Sequence, residues 1–293
     1  MRRRAGLERR RAFDRRRSVE QSTARETVRS IVKTGDPDRY AATLFAPSAA
    51  RDSLFALYAL NVELARIPRL VTEPQLGHIR LQWWRDNLDQ AGRGESTGHP
   101  VADALGAALI DCGIAVEALS PLLDAHALGL ESCAMADWQG LETYLRNSAG
   151  TLFQVAAVML GADPKAADAI AAPASIAYGL TGLMRALPFD IRAGHVYLPT
   201  DMLARYGVTE LTPDGSNLAP LLADLRARAQ AALDEALPRL RRLQPGQRKA
   251  FLPLALVTPY LAALERTAKR PFTALADINP LYRFWRLATW RAD

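Results

Sequence analysis

The sequence predicts an all-α protein, because three of its properties are typical of helices. Alanine and leucine are abundant, runs of β-branched residues are almost absent, and apolar positions recur every three or four residues. The chain has 293 residues, of which 49% are hydrophobic and 23% charged. This composition supports a substantial buried core and excludes a chain that is disordered throughout. Many long helices without a heptad repeat favour a globular bundle around a central space.

Prolines and apolar periodicity place the helices in order. Ser48 is a plausible N-cap for a helix that reaches about Arg66. Pro74 lies near the start of a second helix, which ends near Gly92 and is followed by a glycine-rich loop. Further helices are predicted over 101–111, 114–128, 138–160, 164–187, 217–242, 247–268 and 279–291.

The loops indicate one domain. Proline has no amide hydrogen, so we expect Pro188 to end or kink the helix over 164–187. Residues 207–220 are rich in glycine and proline and form the clearest internal loop, but this loop is too short for a domain linker. No internal repeat is present. We therefore predict a single all-α domain over 36–293, preceded by an arginine-rich extension over 1–35.

The net charge of +6 is a property of that extension. Nine arginines within residues 1–17, against Glu8 and Asp14, give the segment a net charge of +7, whereas residues 18–293 carry −1. Coulomb attraction could hold the segment Arg2–Arg17 near an anionic membrane surface, RNA or an acidic partner. The alternative is a solvated extension without a partner. We predict no specific nucleic-acid partner.

Cysteine content and hydropathy indicate the compartment. Only Cys112 and Cys133 occur, which excludes a disulfide scaffold and fits a reducing compartment. The N terminus lacks the apolar stretch of a secretory signal, and no uninterrupted apolar run approaches the roughly 18 residues of a membrane span. We expect a cytoplasmic protein. Because of its arginines, peripheral contact with a membrane remains an alternative.

The titratable residues form no recognisable catalytic or metal motif. The four histidines, His78, His99, His126 and His195, are too scattered for a local ligand pair. The sequence has no glycine-rich phosphate loop and no Gly-x-Ser-x-Gly nucleophile elbow. Two carboxylates four residues apart on a helix can hold Mg²⁺, but the one such pair, Glu210 and Asp214, falls in the loop.

Several segments resemble the squalene and phytoene synthase family. Residues 38–47 and 51–60 resemble its opening helices, and Ser-Ala-Gly-Thr at 148–151 resembles its Ala-Gly-Thr helix. Residues 183–185 together with 190–199 resemble its second signature. The resemblance covers roughly residues 36–290 and implies an isoprenoid-synthase helical bundle. In that family, two Asp-rich helices face one cavity and hold the Mg²⁺ that binds the diphosphates of two prenyl diphosphates.

The sequence departs from the family at these Asp-rich motifs. Aligned by the flanking residues, the aspartates of the first motif fall on Ala65 and Arg69, and those of the second fall on Ala186 and Asp190. The asparagine expected before the second motif falls on Gly182. Hard cations need several oxygen ligands, and one aspartate of four remains. We therefore predict no metal site and no cofactor, with Mg²⁺ required only if a prenyltransferase activity persists.

The resemblance also implies residues that contact a ligand in the cavity. Arginines could bind a diphosphate directly, without Mg²⁺. The alternative is structural, with tyrosines in the core, Arg51 and Arg185 paired with Asp52 or Glu63, and Asp190 capping a turn. The candidates are Tyr40, Arg51, Tyr58, Asn61, Arg69, Gly150, Arg185, Asp190, Arg192 and Tyr197.

Three hypotheses for function remain. Residues 55–65, 185–188 and 196–202 resemble a non-catalytic branch of the superfamily that includes assembly factors of respiratory complex I. The first hypothesis is therefore a non-catalytic protein that acts in assembly of a respiratory complex or binds an isoprenoid, a lipid or a protein partner. The second is a prenyltransferase with an altered metal site, acting on farnesyl or geranylgeranyl diphosphate. The third is a membrane-surface binding protein that uses the arginine-rich extension.

Overall fold

The structure is a computed structural model that describes residues 22–71, 73–130, 135–209, 211, 218–268 and 275–291. The arginine-rich segment 1–17, Cys133, Glu210 and Asp214 lie outside these residues. Within them the chain forms helices and no β-strand, which confirms the all-α prediction.

The α-helices are α1 to α13. In chain order they are α1 (22–35), α2 (Pro37–Thr43), α3 (Arg51–Leu70), α4 (Pro74–Gly92), α5 (Pro100–Asp111), α6 (Ser120–Leu128), α7 (Trp138–Leu145), α8 (Thr151–Met159), α9 (Pro164–Arg192), α10 (Thr200–Arg205), α11 (Ala219–Leu240), α12 (Val257–Thr267) and α13 (Pro280–Thr289). Short 3₁₀ segments cover Ser48–Ala50, Val116–Leu119 and Gln247–Leu256, and a π-helical turn covers Arg146–Gly150.

Three predicted helices are divided and two run further than predicted. The helices predicted over 114–128 and 247–268 begin as 3₁₀ segments, and the one over 138–160 is interrupted by the π-helical turn. Helix α3 continues past Pro68 to Leu70, and α9 continues past Pro188 to Arg192. Of the two alternatives expected for Pro188, an end of the helix at this residue was wrong. A proline removes one amide donor, and burial of the Pro188 ring in the core offsets that loss.

Helix α9 is the central helix of the bundle. It packs along α11 and also contacts α8, α12 and the π-helical turn. Its length and composition would suffice to cross a membrane, but 56% of its most apolar window is buried in the fold. Its apolar residues therefore belong to the core. The folded unit also includes α1, because Val28 and Val32 are buried against the same core.

A buried carboxylate joins the two ends of the described chain to α9. Asp38 of α2 is 4% exposed. Its oxygens lie 3.3 Å from Arg185 Nη1 of α9 and 2.8 Å from Arg283 Nε of α13, and they accept hydrogen bonds of 3.0 and 2.9 Å from the Tyr260 hydroxyl of α12. The Arg185 guanidinium also stacks 3.6 Å from the centre of the Tyr260 ring. This Asp38 cluster fixes α2, α12 and α13 against the central helix.

We expect Asp38→Asn to lower the free energy of unfolding by about 1–3 kcal/mol, because it leaves two guanidinium groups without their counter-charge. Burial raises the pKa of Asp38, so removing this desolvated carboxylate offsets part of the loss. The change is measured by urea denaturation followed by circular dichroism. The matched control is Asp52→Asn. Asp52 also meets two arginines, Arg25 and Arg29, but its side chain is 43% exposed, so its loss should cost less than about 1 kcal/mol. Equal losses in the two variants would contradict the role given to Asp38.

Candidate functional site

All five degenerate motif positions line one cavity. The cavity has a volume of about 230 Å³ and lies between the C-terminal halves of α3 and α9 and the ends of α6 and α7. The sequence alignment had placed these positions on two helices far apart in the chain. The residues that line it are Ala65, Pro68, Arg69, Ala125, His126, Gly129, Tyr144, Gly182, Leu183, Ala186, Asp190 and Tyr197.

Arg69 and Asp190 bring opposite charges into this cavity from α3 and α9. Partial burial raises the pKa of Asp190 to about 6, because a desolvated carboxylate is disfavoured. The positive charge of Arg69 offsets part of that rise. The cavity therefore combines one fixed cation with a carboxyl group that titrates close to neutral pH.

The third polar group is a half-buried histidine. His126 of α6 lies with its Nε2 3.3 Å from Asn61 Oδ1 of α3. Desolvation of the imidazolium form lowers the pKa of His126 to about 4. The ring is therefore neutral at physiological pH. An amide oxygen only accepts hydrogen bonds, so this contact requires the tautomer that carries the proton on Nε2.

Two tyrosines and two glycines complete the cavity. The Tyr144 and Tyr197 rings stack with their centres 5.3 Å apart. A Cβ atom placed on Gly129 would lie 2.8 Å from the Tyr197 hydroxyl, so a larger residue here would require the tyrosine side chain to shift. A Cβ atom on Gly182 would meet no atom within 4 Å, because that position opens into the cavity.

The cavity residues do not fit a divalent metal. Mg²⁺ is held by several hard oxygen ligands. Alanine and glycine at positions 65, 182 and 186 supply none, Asp190 supplies one carboxylate, and Arg69 would repel a cation. Within the described part of the chain, no group of three or more histidine, cysteine, aspartate or glutamate side chains is arranged to hold a metal ion.

Two of the predicted ligand-binding arginines are engaged elsewhere. Arg185 belongs to the Asp38 cluster, and the Nε of Arg51 donates to the Ala46 carbonyl at 2.9 Å. The carboxylates that were suggested as their partners pair with other arginines. Asp52 pairs with Arg29 at 2.8 Å, and Glu63 pairs with Arg66 at 2.8 Å.

Four further candidates are not among the residues that line the cavity. The Tyr40 ring lies 5.4 Å from that of Phe55 in the core, and Gly150 lets the π-helical turn approach Ser175 of α9. Arg192 forms the last residue of α9. Tyr58 is buried beneath Arg39, and this burial raises the pKa of Tyr58 to about 12. Asn61 reaches the cavity through its contact with His126.

The sequence analysis missed Arg39, which forms the second buried charge of the fold. Arg39 is 6% exposed and pairs with Asp36 at 2.7 Å. Its guanidinium lies 4.7 Å from the centre of the Tyr178 ring and 5.6 Å from that of Tyr58. His126 and Tyr144 were also missed, because each stands alone in the sequence. Only the contact between distant helices gives these side chains a role.

We expect Asp190→Asn to stabilise the protein at pH 7.5 by about 1–2 kcal/mol after allowance for partial solvent exposure. Because the pKa of Asp190 is raised from 3.8 to about 6, the folded chain holds this proton more tightly than the unfolded chain does. The free energy of unfolding therefore falls as the pH rises from 3.8 to about 6 and Asp190 ionises. Asparagine does not ionise, so the variant does not lose this stability. The difference in the free energy of unfolding between Asp190→Asn and the wild-type chain should vanish near pH 4. Glu142→Gln, at an exposed carboxyl of α7, is the control, and a constant difference across the pH range would contradict the assignment.

Comparison with known proteins relates this fold to prenyl-diphosphate enzymes and to an assembly factor. The squalene/phytoene synthase family matches residues 32–288. The bovine NADH dehydrogenase (ubiquinone) complex I assembly factor 6 is 27% identical over 240 residues, which cover 80% of this chain and 72% of that protein. Phytoene synthase of Mycobacterium bovis is 27% identical over 209 residues, which cover 70% of this chain and 68% of that enzyme.

The fold is also that of solved squalene synthases. The crystal structure of squalene synthase from Alicyclobacillus acidocaldarius superposes with a TM-score of 0.73 at 22% sequence identity, and covers 87% of this chain and 97% of that one. The similarity spans the bundle and the helices that carry the cavity. The chain therefore belongs to the squalene/phytoene synthase family.

Proposed function

We propose that this protein is a non-catalytic member of its family that acts in the assembly of a respiratory complex. The observation that carries the proposal is the content of the cavity. Ionisation of a prenyl diphosphate needs strong electrostatic stabilisation of the leaving group. Here four of the five positions that would organise the metal hold alanine, glycine or arginine, and these side chains supply no oxygen ligand.

The relatives support the assembly role. The bovine assembly factor covers more of this chain than the mycobacterial phytoene synthase does, 80% against 70%. Its name associates it with complex I, the NADH dehydrogenase. We infer that a complex of this class is the partner. We also infer that the protein works in the cytoplasm, at the periphery of the membrane in which such a complex is built.

A second role deserves a test because the cavity remains open. Arg69 could bind a diphosphate or another anionic head group directly. Asp190 and Tyr197 are the retained polar positions that favour a prenyltransferase with an altered site. A prenyl diphosphate or lipid bound without turnover would make the cavity a ligand site that contributes to the assembly role.

Deletion of the gene in the source organism, followed by complementation, tests the assembly role. We expect deletion to lower NADH:quinone oxidoreductase activity in membranes, and expression of the wild-type chain to restore it. Asp190→Asn and Tyr197→Phe should restore it equally well, because neither residue serves a reaction. Normal oxidoreductase activity in the deletion strain would contradict the proposal, and so would failure of both cavity variants to complement while they accumulate as folded protein.

Thermal unfolding with farnesyl or geranylgeranyl diphosphate, with and without Mg²⁺, tests the catalytic alternative. A ligand that binds only the folded state raises the melting temperature by mass action. For the wild-type chain, we expect any shift to be the same with and without Mg²⁺, and no diphosphate to be released. A Mg²⁺-dependent shift with release of diphosphate would establish the prenyltransferase instead.

The triple variant Ala65→Asp/Arg69→Asp/Ala186→Asp is the matched positive control. It restores the carboxylates on the two facing helices, so it should acquire a Mg²⁺-dependent rise in melting temperature that the wild-type chain lacks. The absence of such a rise in the folded variant would show that positions 65, 69, 186 and 190 do not converge on one metal site.

A further inference from the structure

Helix α13 has the reverse of the usual polarity of a surface helix. A surface helix normally turns its apolar side chains to the core and its charged side chains to water. In α13 the Arg283 guanidinium points inward to Asp38 and Tyr260, and Arg286 donates to the Ala255 carbonyl at 3.4 Å. Leu287 is the one residue of the helix that is fully buried.

The opposite side of α13 presents large apolar side chains to solvent. We name it the aromatic face and define it as Leu281, Tyr282, Phe284 and Trp285. Their exposed fractions are 81%, 43%, 50% and 54%. The Tyr282 and Trp285 rings stack 5.7 Å apart, and Phe284 meets Phe45 at 5.1 Å. Among the described elements, α13 packs chiefly against α2 and Gln247–Leu256, which leaves this face uncovered.

This arrangement costs free energy in water. Leaving apolar surface in water costs about 25 cal/mol per Å², and a large aromatic side chain has roughly 150–250 Å² of surface. The inward arginines fix the rotation of the helix, so the aromatic face cannot turn to the core without breaking the Asp38 cluster. A surface that is held outward at this cost is typical of an interaction site.

We propose that the aromatic face docks on an anionic phospholipid bilayer, with its side chains in the interfacial region. Tyrosine and tryptophan favour that region because each has an apolar ring and a polar group that stays hydrated. The charge of the chain matches an anionic surface, since residues 1–17 carry +7 while the remainder is nearly neutral. Stable attachment to a membrane commonly needs two signals, and an apolar anchor with a polybasic segment is one such pair. The inference does not depend on the assembly role.

Flotation of the full chain with vesicles tests the proposal. The vesicles are phosphatidylcholine alone or an equimolar mixture of phosphatidylcholine and phosphatidylglycerol. We expect binding to the mixed vesicles, and Phe284→Ser/Trp285→Ser should weaken it by at least about tenfold. The matched control is Ile79→Ser/Trp83→Ser, which removes two exposed apolar side chains from α4, on another surface, and should leave binding unchanged.

A second measurement separates contact with lipid from a change in folding. Trp285→Phe keeps the face apolar but removes its indole. With vesicles that contain brominated lipid, the quenching of tryptophan fluorescence should be smaller in this variant than in the wild-type chain, although both bind. The proposal fails if the wild-type chain does not float with mixed vesicles, or if the Phe284/Trp285 double variant floats as the wild type does. It also fails if the chain is a dimer that this double variant converts to monomers, because a second copy would then cover the face.

Discussion

The carboxylate of Asp38 is the interaction on which the arrangement of the bundle depends. A charge placed in the interior costs several kcal/mol unless it is paired and hydrogen-bonded. Here one carboxylate near the start of the fold receives two guanidinium groups and a tyrosine hydroxyl from α9, α13 and α12. The cluster restricts where these helices can lie. It therefore sets the position of α9 relative to α2, α12 and α13 more narrowly than apolar contacts alone would.

The cavity depends on the same constraint, since α9 carries three of its five motif positions. The fold holds these positions opposite Ala65 and Arg69 of α3, across the cavity. Arg69 and Asp190 bring opposite charges to its two sides, and the positive charge offsets part of the rise in the pKa of Asp190. The helical architecture of the squalene/phytoene synthase family is thus retained, while three of the four aspartate positions hold Ala65, Arg69 and Ala186.

Much of the fold could be predicted from the sequence because helix periodicity is a local signal. The places where the helices differ from the prediction have causes that apolar periodicity does not reveal. A π-helical turn at Arg146–Gly150 is compatible with the same apolar spacing as an α-helix, and Pro188 is tolerated because the core buries it. The five motif positions in the cavity were reached only through motif alignment, whereas His126 and Tyr144 were not reached.

Contacts between distant residues could not be predicted in this way. Arg185 and Asp38 are 147 positions apart, so no local pattern identifies Asp38 as the partner of this arginine. The orientation of α13 could not be predicted from the sequence either. Its apolar residues repeat at helical spacing, which ordinarily indicates the side that faces the core. Only the buried partner of Arg283 shows that this helix is turned the other way.

The continuation of α9 through Pro188 has a consequence for how the cavity moves. Proline cannot donate to the Met184 carbonyl, so the last turn of the helix is joined to the rest by one backbone hydrogen bond fewer. Asp190 lies on that turn, beyond the missing bond. A small bend at this point changes the distance between the carboxyl group and Arg69 while the buried length of α9 stays in place. The backbone bond lost at Pro188 therefore lies where α9 forms the wall of the cavity.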